Sequence, residues 1–279
     1  MADGMSQHQP LPAARRAGNE VANSPPFAWL ARAGFVARGL VYLIVGVLAA
    51  KLALGIGGRA TDHEGALKTL AHQPFGTTML VVLAVGLAGF ALWRFVRAAL
   101  GHGPEGSDST MDRIMALSSG IVYTILFIAA VKILTGSETG TTAHADETTK
   151  GVFGWPAGTW IVGLAGLVLI GVGLYHGYRA LSRDFLEDSK TEEMSPHVRR
   201  LMSRVGALGY ASRMVVCCVV GAFLVKAAVD YNAKAAVGFD GALAKLLRQT
   251  HGPYLLGLVA AGLIAFGLYS IMDARYRRI

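Results

Sequence analysis

The chain contains three copies of one sequence unit, and this repetition constrains the fold more than any other feature. Gly-Leu-Val-Tyr at 39–42 recurs as Gly-Ile-Val-Tyr at 120–123, an offset of 81 residues. A third copy, at an offset of 175, is recognised by the matched pairs Gly34 and Gly209, Arg38 and Arg213, and Gly46 and Gly221. Self-similarity at a fixed spacing indicates that one structural unit is repeated, so equivalent positions can be compared within the chain.

Each copy contains two apolar segments of membrane-spanning length. The chain is 53% hydrophobic and only 16% charged, whereas soluble domains contain about 25% charged residues. Helical segments of about 20 apolar residues are long enough to cross a bilayer core. We predict six such spans, near 34–54, 77–97, 114–134, 159–180, 205–228 and 254–273.

These spans predict an all-α membrane protein with six transmembrane helices, arranged as three tandem helical hairpins. Each repeat contains two spans, so successive repeats enter the membrane in the same orientation, and a pseudo-threefold bundle of parallel repeats is expected. The predicted units are repeat 1 over 29–101, repeat 2 over 111–183 and repeat 3 over 201–279. Residues 1–28 are polar and contain no apolar run, so we predict a disordered cytoplasmic tail and no signal peptide.

The distribution of basic residues predicts the orientation of the chain. Most of the 26 Lys and Arg residues lie before the first span, in the two connections between repeats, and at the C-terminus. Such loops face the cytoplasm, so both termini are predicted to be cytoplasmic. Topology thereby accounts for the net charge of +8. No recognition module accompanies this charge, so we predict membrane lipids and no nucleic acid as partners.

Two of the outer loops contain a related amphipathic segment. Residues 65–73 and 241–249 both begin Gly-Ala-Leu and end in a glutamine, Gln73 or Gln249. Their apolar residues follow i, i+3, i+4 spacing, which predicts short helices lying on the outer membrane surface. The middle loop is rich in Thr, Gly and acidic residues and departs from this pattern.

Three equivalent lysines, Lys51, Lys132 and Lys226, lie near the outer end of the first helix of each repeat. Ionisable residues within a span are costly and often functional, and three on a common axis would form a basic ring that attracts anions. At about 100° per residue, however, each lysine shares its face with bulky aliphatic side chains. These aliphatic neighbours favour the other interpretation, in which the lysines face lipid and extend to the outer head groups as anchors.

Equivalent arginines lie near the inner ends of the helices. Arg38 and Arg213 match, and the middle copy has Ser119 instead. On the second helix of each repeat, Arg97 and Arg179 align with an acidic residue, Asp273. Charge at the inner boundary is expected from topology alone, and the functional alternative is that these four arginines bind lipid phosphate or an anionic solute.

Asp273 departs from the pattern of its repeat and could pair with an arginine of a neighbouring repeat. The aromatic residues aligned just before these positions, Trp93, Tyr175 and Tyr269, are interpreted as an interfacial belt.

Patterns typical of metal, cofactor or catalytic sites are missing from the sequence. There is no His-x-x-x-His or Cys-x-x-Cys spacing. The adjacent Cys217 and Cys218 point apart on a helix and are interpreted as packing residues. No Gly-x-Ser-x-Gly motif or phosphate loop occurs. We therefore expect no metal, no cofactor and no enzymatic activity.

The first repeat carries a family resemblance. Its stretch 32–42, together with Lys51, the Gly-Ala-Leu at 65–67, the Gln-Pro-Phe-Gly at 73–76 and the Leu-Trp-Arg at 92–94, resembles the bacterial membrane family called domain of unknown function 1206. The resemblance implies a multi-pass protein of the bacterial inner membrane with three tandem two-helix units. It implies no activity and no site residues.

Two functional hypotheses follow from the sequence. The favoured one is a non-enzymatic membrane protein that interacts with lipid or acts as a scaffold, because the spans lack carboxylate pairs and the lysine faces are apolar. The alternative is a channel or transporter for an anion or another small solute, built on the pseudo-threefold bundle. The orientation of the three lysines distinguishes the two hypotheses.

Overall fold

The structure, a computed structural model, describes residues 25–57, 62–100, 110–137 and 145–277. Six long and three short α-helices make up most of these ranges. The helices are α1 (Pro25–Ala53), α2 (His63–Ala71), α3 (Gly76–Leu100), α4 (Thr110–Leu134), α5 (Ala145–Phe153), α6 (Gly158–Ser182), α7 (Pro196–Val229), α8 (Phe239–Leu247) and α9 (Gly252–Tyr276). The six long helices are long and apolar enough to cross a membrane. No strand occurs in the described ranges, so the predicted all-α fold is confirmed.

The first helix begins earlier than the sequence indicated. Helix α1 starts at Pro25, so residues 25–28, which were assigned to the polar tail, form its first turn. Proline is well tolerated at this position because the first amide groups of a helix have no intrahelical acceptor. The rest of the predicted tail, residues 1–24, lies outside the described residues.

The six long helices form an incomplete ring. Neighbouring helices pack in the order α4, α3, α1, α9, α7, α6. This is the order expected for three hairpins placed side by side around an axis. Within the described part of the chain, α4 and α6, the two helices of the second repeat, form no packed seam with each other. The bundle is therefore open on that side.

Glycines allow close helix packing in the same way in the first and third repeats. A Cβ atom added at Gly34 would lie 2.7 Å from the Cα of Phe90, and one at Gly209 would lie 2.6 Å from the Cα of Phe266. Close approach of helix backbones at small residues is typical of membrane bundles, because van der Waals packing replaces the hydrophobic driving force. The α1–α3 and α7–α9 pairs therefore follow one packing scheme.

The short helices α2 and α8 are inserted between the long helices. The side chains of Leu67 and Leu243 are fully buried. The ring of His63, at the start of α2, lies 4.7 Å from that of Tyr42 and 5.0 Å from that of Phe239. The prediction that these helices lie on the membrane surface is wrong. An amphipathic pattern indicates that one face is buried, but it does not distinguish burial in lipid from burial in protein.

The middle repeat also contains a short helix, which the sequence pattern did not predict. Helix α5 contributes Phe153, whose ring stacks on that of Tyr231 at 5.1 Å. Its sequence is mostly polar, and its less exposed face consists of Thr149, Val152 and Phe153 at i, i+3, i+4 spacing. We call the end of the bundle where α1 begins and α9 ends the terminal end. Each repeat thus has a short helix at the opposite end.

Candidate functional site

A cavity of about 280 Å³ lies at the centre of the bundle. All six long helices contribute to its lining, and His63 of α2 contributes from the end of the short helices. At the terminal end, the connection between α6 and α7 folds under the bundle. Its Phe185 is fully buried and packs against Tyr210 and Tyr269, at ring distances of 5.1 and 5.2 Å. Both ends of the cavity are therefore covered by protein.

Equivalent positions of the three repeats meet in this cavity. Three sets contribute all their members: Arg38, Ser119 and Arg213; Tyr42, Tyr123 and Cys217; and Arg97, Arg179 and Asp273. Because each repeat contributes the same positions, the cavity lies on the pseudo-threefold axis. The substitutions that break the repeat pattern, serine and aspartate for arginine, are found in its wall.

The cavity is strongly basic. Six arginines line it, namely Arg38, Arg94, Arg97, Arg179, Arg213 and Arg277. In the described part of the chain, only two carboxylates form ion pairs with them, those of Asp188 and Asp273. Buried charges normally have partners of opposite sign, and counted over the described residues this cluster has an excess of positive charge.

Asp188 joins three of the arginines. This residue lies on the connection between α6 and α7, and its carboxylate is 2.9 Å from Arg179, 2.9 Å from Arg277 and 3.7 Å from Arg97. Burial by itself would raise the pKa of Asp188, but the three guanidinium groups outweigh it and hold that pKa well below its usual range. The carboxylate is therefore ionised at any physiological pH.

Asp273 links the third repeat to the first. Its carboxylate lies 3.7 Å from Arg38 and 3.3 Å from Arg277. Arg38 also donates from Nε to the Ser270 hydroxyl at 2.7 Å, and that hydroxyl donates to the Phe35 carbonyl at 2.8 Å. The structure thus contains the pairing of Asp273 with an arginine of a neighbouring repeat that the sequence suggested.

Two of the cavity arginines have no carboxylate partner among the described residues. The guanidinium of Arg213 lies over the ring of Phe266 at 4.7 Å, and that of Arg94 lies over the rings of Phe90 and Trp93 at 5.1 Å each. Aromatic faces stabilise these cations but leave their N–H groups without acceptors. Arg94 and Arg213 are therefore available to bind an anion.

Two histidines add polar groups to the wall. His176 is 5% exposed, and neither of its ring nitrogens has a hydrogen-bond partner in the described part of the chain. Buried polar atoms are normally paired, so an imidazole with two unused nitrogens indicates a ligand or water in the cavity. Burial and the nearby Arg213 lower the pKa of His63 to about 4, so this residue is neutral at pH 7.

The three lysines do not take part in this site. Lys51, Lys132 and Lys226 are all exposed, and none lines the cavity. Lys226 forms an ion pair with Asp230, one turn along the same helix, at 2.9 Å. The lysines share their exposed faces with aliphatic side chains, as the anchor interpretation expects, and they do not form a ring.

The two glutamines of the repeated outer motif have local roles. The Gln73 amide reaches the Thr69 carbonyl at 3.5 Å, and the Gln249 amide reaches the Lys245 carbonyl at 3.4 Å. Each contact joins a glutamine just beyond the end of a short helix to a carbonyl in the last turn of that helix. The repetition of this motif therefore reflects how α2 and α8 end.

The aligned aromatic residues face the interior of the bundle. Trp93 is 5% exposed and Tyr269 is fully buried, while Tyr175 lines the cavity. The interpretation as an interfacial belt is therefore wrong. The Trp93 ring lies beneath two guanidinium groups, those of Arg97 at 5.4 Å and Arg277 at 5.6 Å from its centroid.

Several residues of the site were not singled out from the sequence: Arg94, Arg277, His176, Tyr42 and Tyr123, which line the cavity, and Asp188, which pairs with its arginines. The repeat offered a signal for some of them, because Tyr42 and Tyr123 belong to the matched motif and Arg94 aligns with His176. Asp188 lies in a connection between repeats, where no internal comparison exists. Among the described residues, no group of three His, Cys, Asp or Glu side chains is arranged to hold a metal ion.

Comparison with known proteins gives a family but no activity. The model of the family described as Domain of Unknown Function (DUF1206) matches the chain three times, over residues 33–110, 114–183 and 208–277. The chain is 32% identical over 251 residues to the Uncharacterized protein YxxB of Bacillus subtilis (strain 168). The matched region covers 89% of this chain and 90% of that relative. No solved structure matches the chain. The protein therefore belongs to the DUF1206 family, as a multi-pass membrane protein built from three copies of the family's unit.

Proposed function

We propose that this protein binds a tetrahedral oxyanion, such as a phosphate group, in its central cavity, and that it does so without catalysing a reaction. The observation that carries the proposal is that Arg94 and Arg213 line one cavity together with four further arginines and have no carboxylate partner among the described residues. An anion would supply the missing negative charge.

Arginine chemistry favours an oxyanion over a halide. The planar guanidinium fork donates two parallel hydrogen bonds to two oxygens of a phosphate or carboxylate, which a spherical ion cannot accept. Arg94 and Arg213 come from different repeats, and no carboxylate in the described ranges accepts from their donors. Tyr123 and the two histidines add further polar groups for the remaining oxygens.

The size of the cavity supports the same ligand class. Pockets for drug-sized molecules have volumes of about 300–1,000 Å³, and this one, at about 280 Å³, falls below that range. A phosphate group with a few water molecules fits such a volume. His63 of α2, whose ring packs on that of Phe239 of α8, covers the cavity at the end of the short helices, which supports binding over conduction through a continuous pore.

The proposed location is the inner membrane of a bacterium, with both termini in the cytoplasm. Basic residues concentrate at the terminal end of the bundle, and such residues mark the cytoplasmic side. The related protein from Bacillus subtilis agrees with a bacterial origin. The arginine cluster then lies in the cytoplasmic half of the membrane, within reach of phosphate groups on that side.

Oxyanion binding is tested by the unfolding temperature of delipidated protein in a mild detergent. Saturating inorganic phosphate should raise this temperature relative to NaCl at equal ionic strength; a ligand at 100 times its Kd contributes about 2.7 kcal/mol, or roughly 5–10 °C for a chain of this size. The double variant Arg94→Gln/Arg213→Gln should lose this response. Arg275→Gln, which changes an exposed arginine at the same end, should keep it. An equal response in the wild type and the double variant would refute the proposal.

Changing the three outer lysines together provides a further test. The variant Lys51→Gln/Lys132→Gln/Lys226→Gln should respond to phosphate as the wild type does, because these side chains are exposed and remote from the cavity. A basic ring that captured anions at the outer surface would instead lose most of its binding. The same unfolding assay decides between these outcomes.

A further inference from the structure

We infer that the oxyanion is the head group of an anionic phospholipid, which enters the cavity from the cytoplasmic leaflet through the opening between α4 and α6. The inference rests on the proposed oxyanion binding and adds the class of ligand and its route.

The opening connects the cavity with the surface that faces lipid. Every other pair of adjacent long helices around the ring is packed, and both ends are covered by protein. On α4, Val122 lines the cavity and is nevertheless 52% exposed. Opposite it, α6 presents Leu169 and Val172 to the cavity. A ligand can therefore pass sideways between these two helices.

The polarity along the opening matches that of a phospholipid. Helix α4 runs away from the terminal end, and its cavity residues are, in order, Met115, Ser118, Ser119, Val122, Tyr123 and Leu126. Helix α6 runs back toward the terminal end, and its cavity residues change from the aliphatic Leu169 and Val172 to Tyr175, His176 and Arg179. The α6 edge is thus polar near the cytoplasmic boundary and apolar toward the middle of the membrane, and the α4 edge has its two serines nearer the boundary than Val122 and Leu126. A free anion would gain nothing from the apolar half.

The distances along the helix agree with this placement. Ser118 and Leu126 are eight residues apart, or about 12 Å at 1.5 Å per residue. The hydrocarbon core of a bilayer is about 30 Å thick, so the apolar part of the opening is level with the acyl chains of one leaflet. A cavity of about 280 Å³ holds a head group, and the chains must remain outside it. A side opening at this depth leaves them in the bilayer.

The net charge of the cavity favours an anionic head group. A zwitterionic lipid would bring a cation next to six arginines, and like charges at close range in a site of low dielectric repel strongly. An anionic lipid brings only the phosphate charge and neutral hydroxyl groups. We therefore expect phosphatidylglycerol to bind and phosphatidylcholine to bind weakly.

The inference is tested with protein placed in nanodiscs that contain either phosphatidylglycerol or phosphatidylcholine. Native mass spectrometry releases the protein into the gas phase and counts the lipids that stay bound to it. Wild type should retain one phosphatidylglycerol, and Val122→Trp, which fills the opening, should retain it at least tenfold less. Ile121→Trp is the matched control, because Ile121 is 49% exposed on the neighbouring position of α4 and does not line the cavity. Unfolding temperatures without ligand establish that both variants fold.

The outcomes separate this inference from the proposed function. Stabilisation by inorganic phosphate is measured on the wild type, and lipid retention is measured on the wild type, Val122→Trp and Ile121→Trp, so the two proposals are tested by different measurements. If phosphate stabilises the protein but phosphatidylglycerol is retained no better than phosphatidylcholine, or equally by Val122→Trp and wild type, the lipid inference is wrong and oxyanion binding stands. If phosphate has no effect on the wild type either, both are wrong.

Discussion

Replacing Asp188 by asparagine should lower the unfolding temperature of the purified protein substantially. The change removes one negative charge from the centre of three arginines, Arg97, Arg179 and Arg277, and keeps the shape of the side chain. Removing one partner of a buried ion pair costs about 3–5 kcal/mol. Since the Asp188 side chain is 19% exposed, we expect the lower part of that range, which corresponds to roughly 5–10 °C.

The pH dependence provides an internal check on this prediction. The pKa of Asp188 is lower in the folded protein than in the unfolded chain. Its contribution to stability is therefore fully present above the unfolded value of about 4 and is lost only as the pH falls toward the folded value. The difference between wild type and Asp188→Asn should then be the same at pH 5 and pH 7.

The matched control is Glu187→Gln, a neighbouring residue that is exposed. It removes the same charge from the same connection, so a general effect of net charge would appear in both variants. Equal unfolding temperatures for Asp188→Asn and Glu187→Gln would show that the carboxylate does not hold the arginine cluster together.

Adding one methyl group at Gly209 should destabilise the bundle and weaken phosphate binding at the same time. A Cβ there would lie 2.6 Å from the Cα of Phe266, so the α7 and α9 backbones must move apart. Overpacking of this kind costs about 1–3 kcal/mol. The Phe266 ring lies 4.7 Å from the guanidinium of Arg213 and 5.2 Å from that of Arg38. A shift of α9 therefore moves both arginines relative to the cavity.

The control for Gly209→Ala is Gly171→Ala, which makes the same chemical change in a long helix with no atom within 4 Å of the added Cβ. This variant should unfold at or slightly above the wild-type temperature, because alanine favours a helix over glycine by about 1 kcal/mol. Unfolding temperatures with and without phosphate measure both effects. A similar response of the two variants would mean that the close approach of α7 and α9 carries little of the stability.

The fold was largely predictable because the repeat and the apolar spans are local properties of the sequence. Matching Arg38 with Arg213, and Arg97 with Arg179, selected four residues that line one cavity. The reason is physical, since equivalent positions of repeats around an axis must have equivalent distances from that axis. The same comparison applied to Tyr42 and Tyr123 would have extended the site.

Other features depend on contacts that no local pattern encodes. The amphipathic stripe of α2 has the same spacing whether Leu67 faces lipid or the inside of the bundle. Asp188 belongs to a connection without a repeated counterpart, and its role arises only when that segment folds under the helices. Helices α4 and α6 lie apart because α4 packs against α3 and α6 packs against α7.

The open side of the ring also has a mechanical consequence. The packed helices run from α4 to α6 in a continuous arc whose middle seam is formed by α1 and α9, directly across from the opening. The arc has two arms, α3 with α4 and α7 with α6, which meet at the α1–α9 seam. A change in the distance between the arms would also strain the ion pairs of Asp188, which joins Arg97 of α3 to Arg179 of α6. The connection beneath the bundle therefore limits how far the opening can widen.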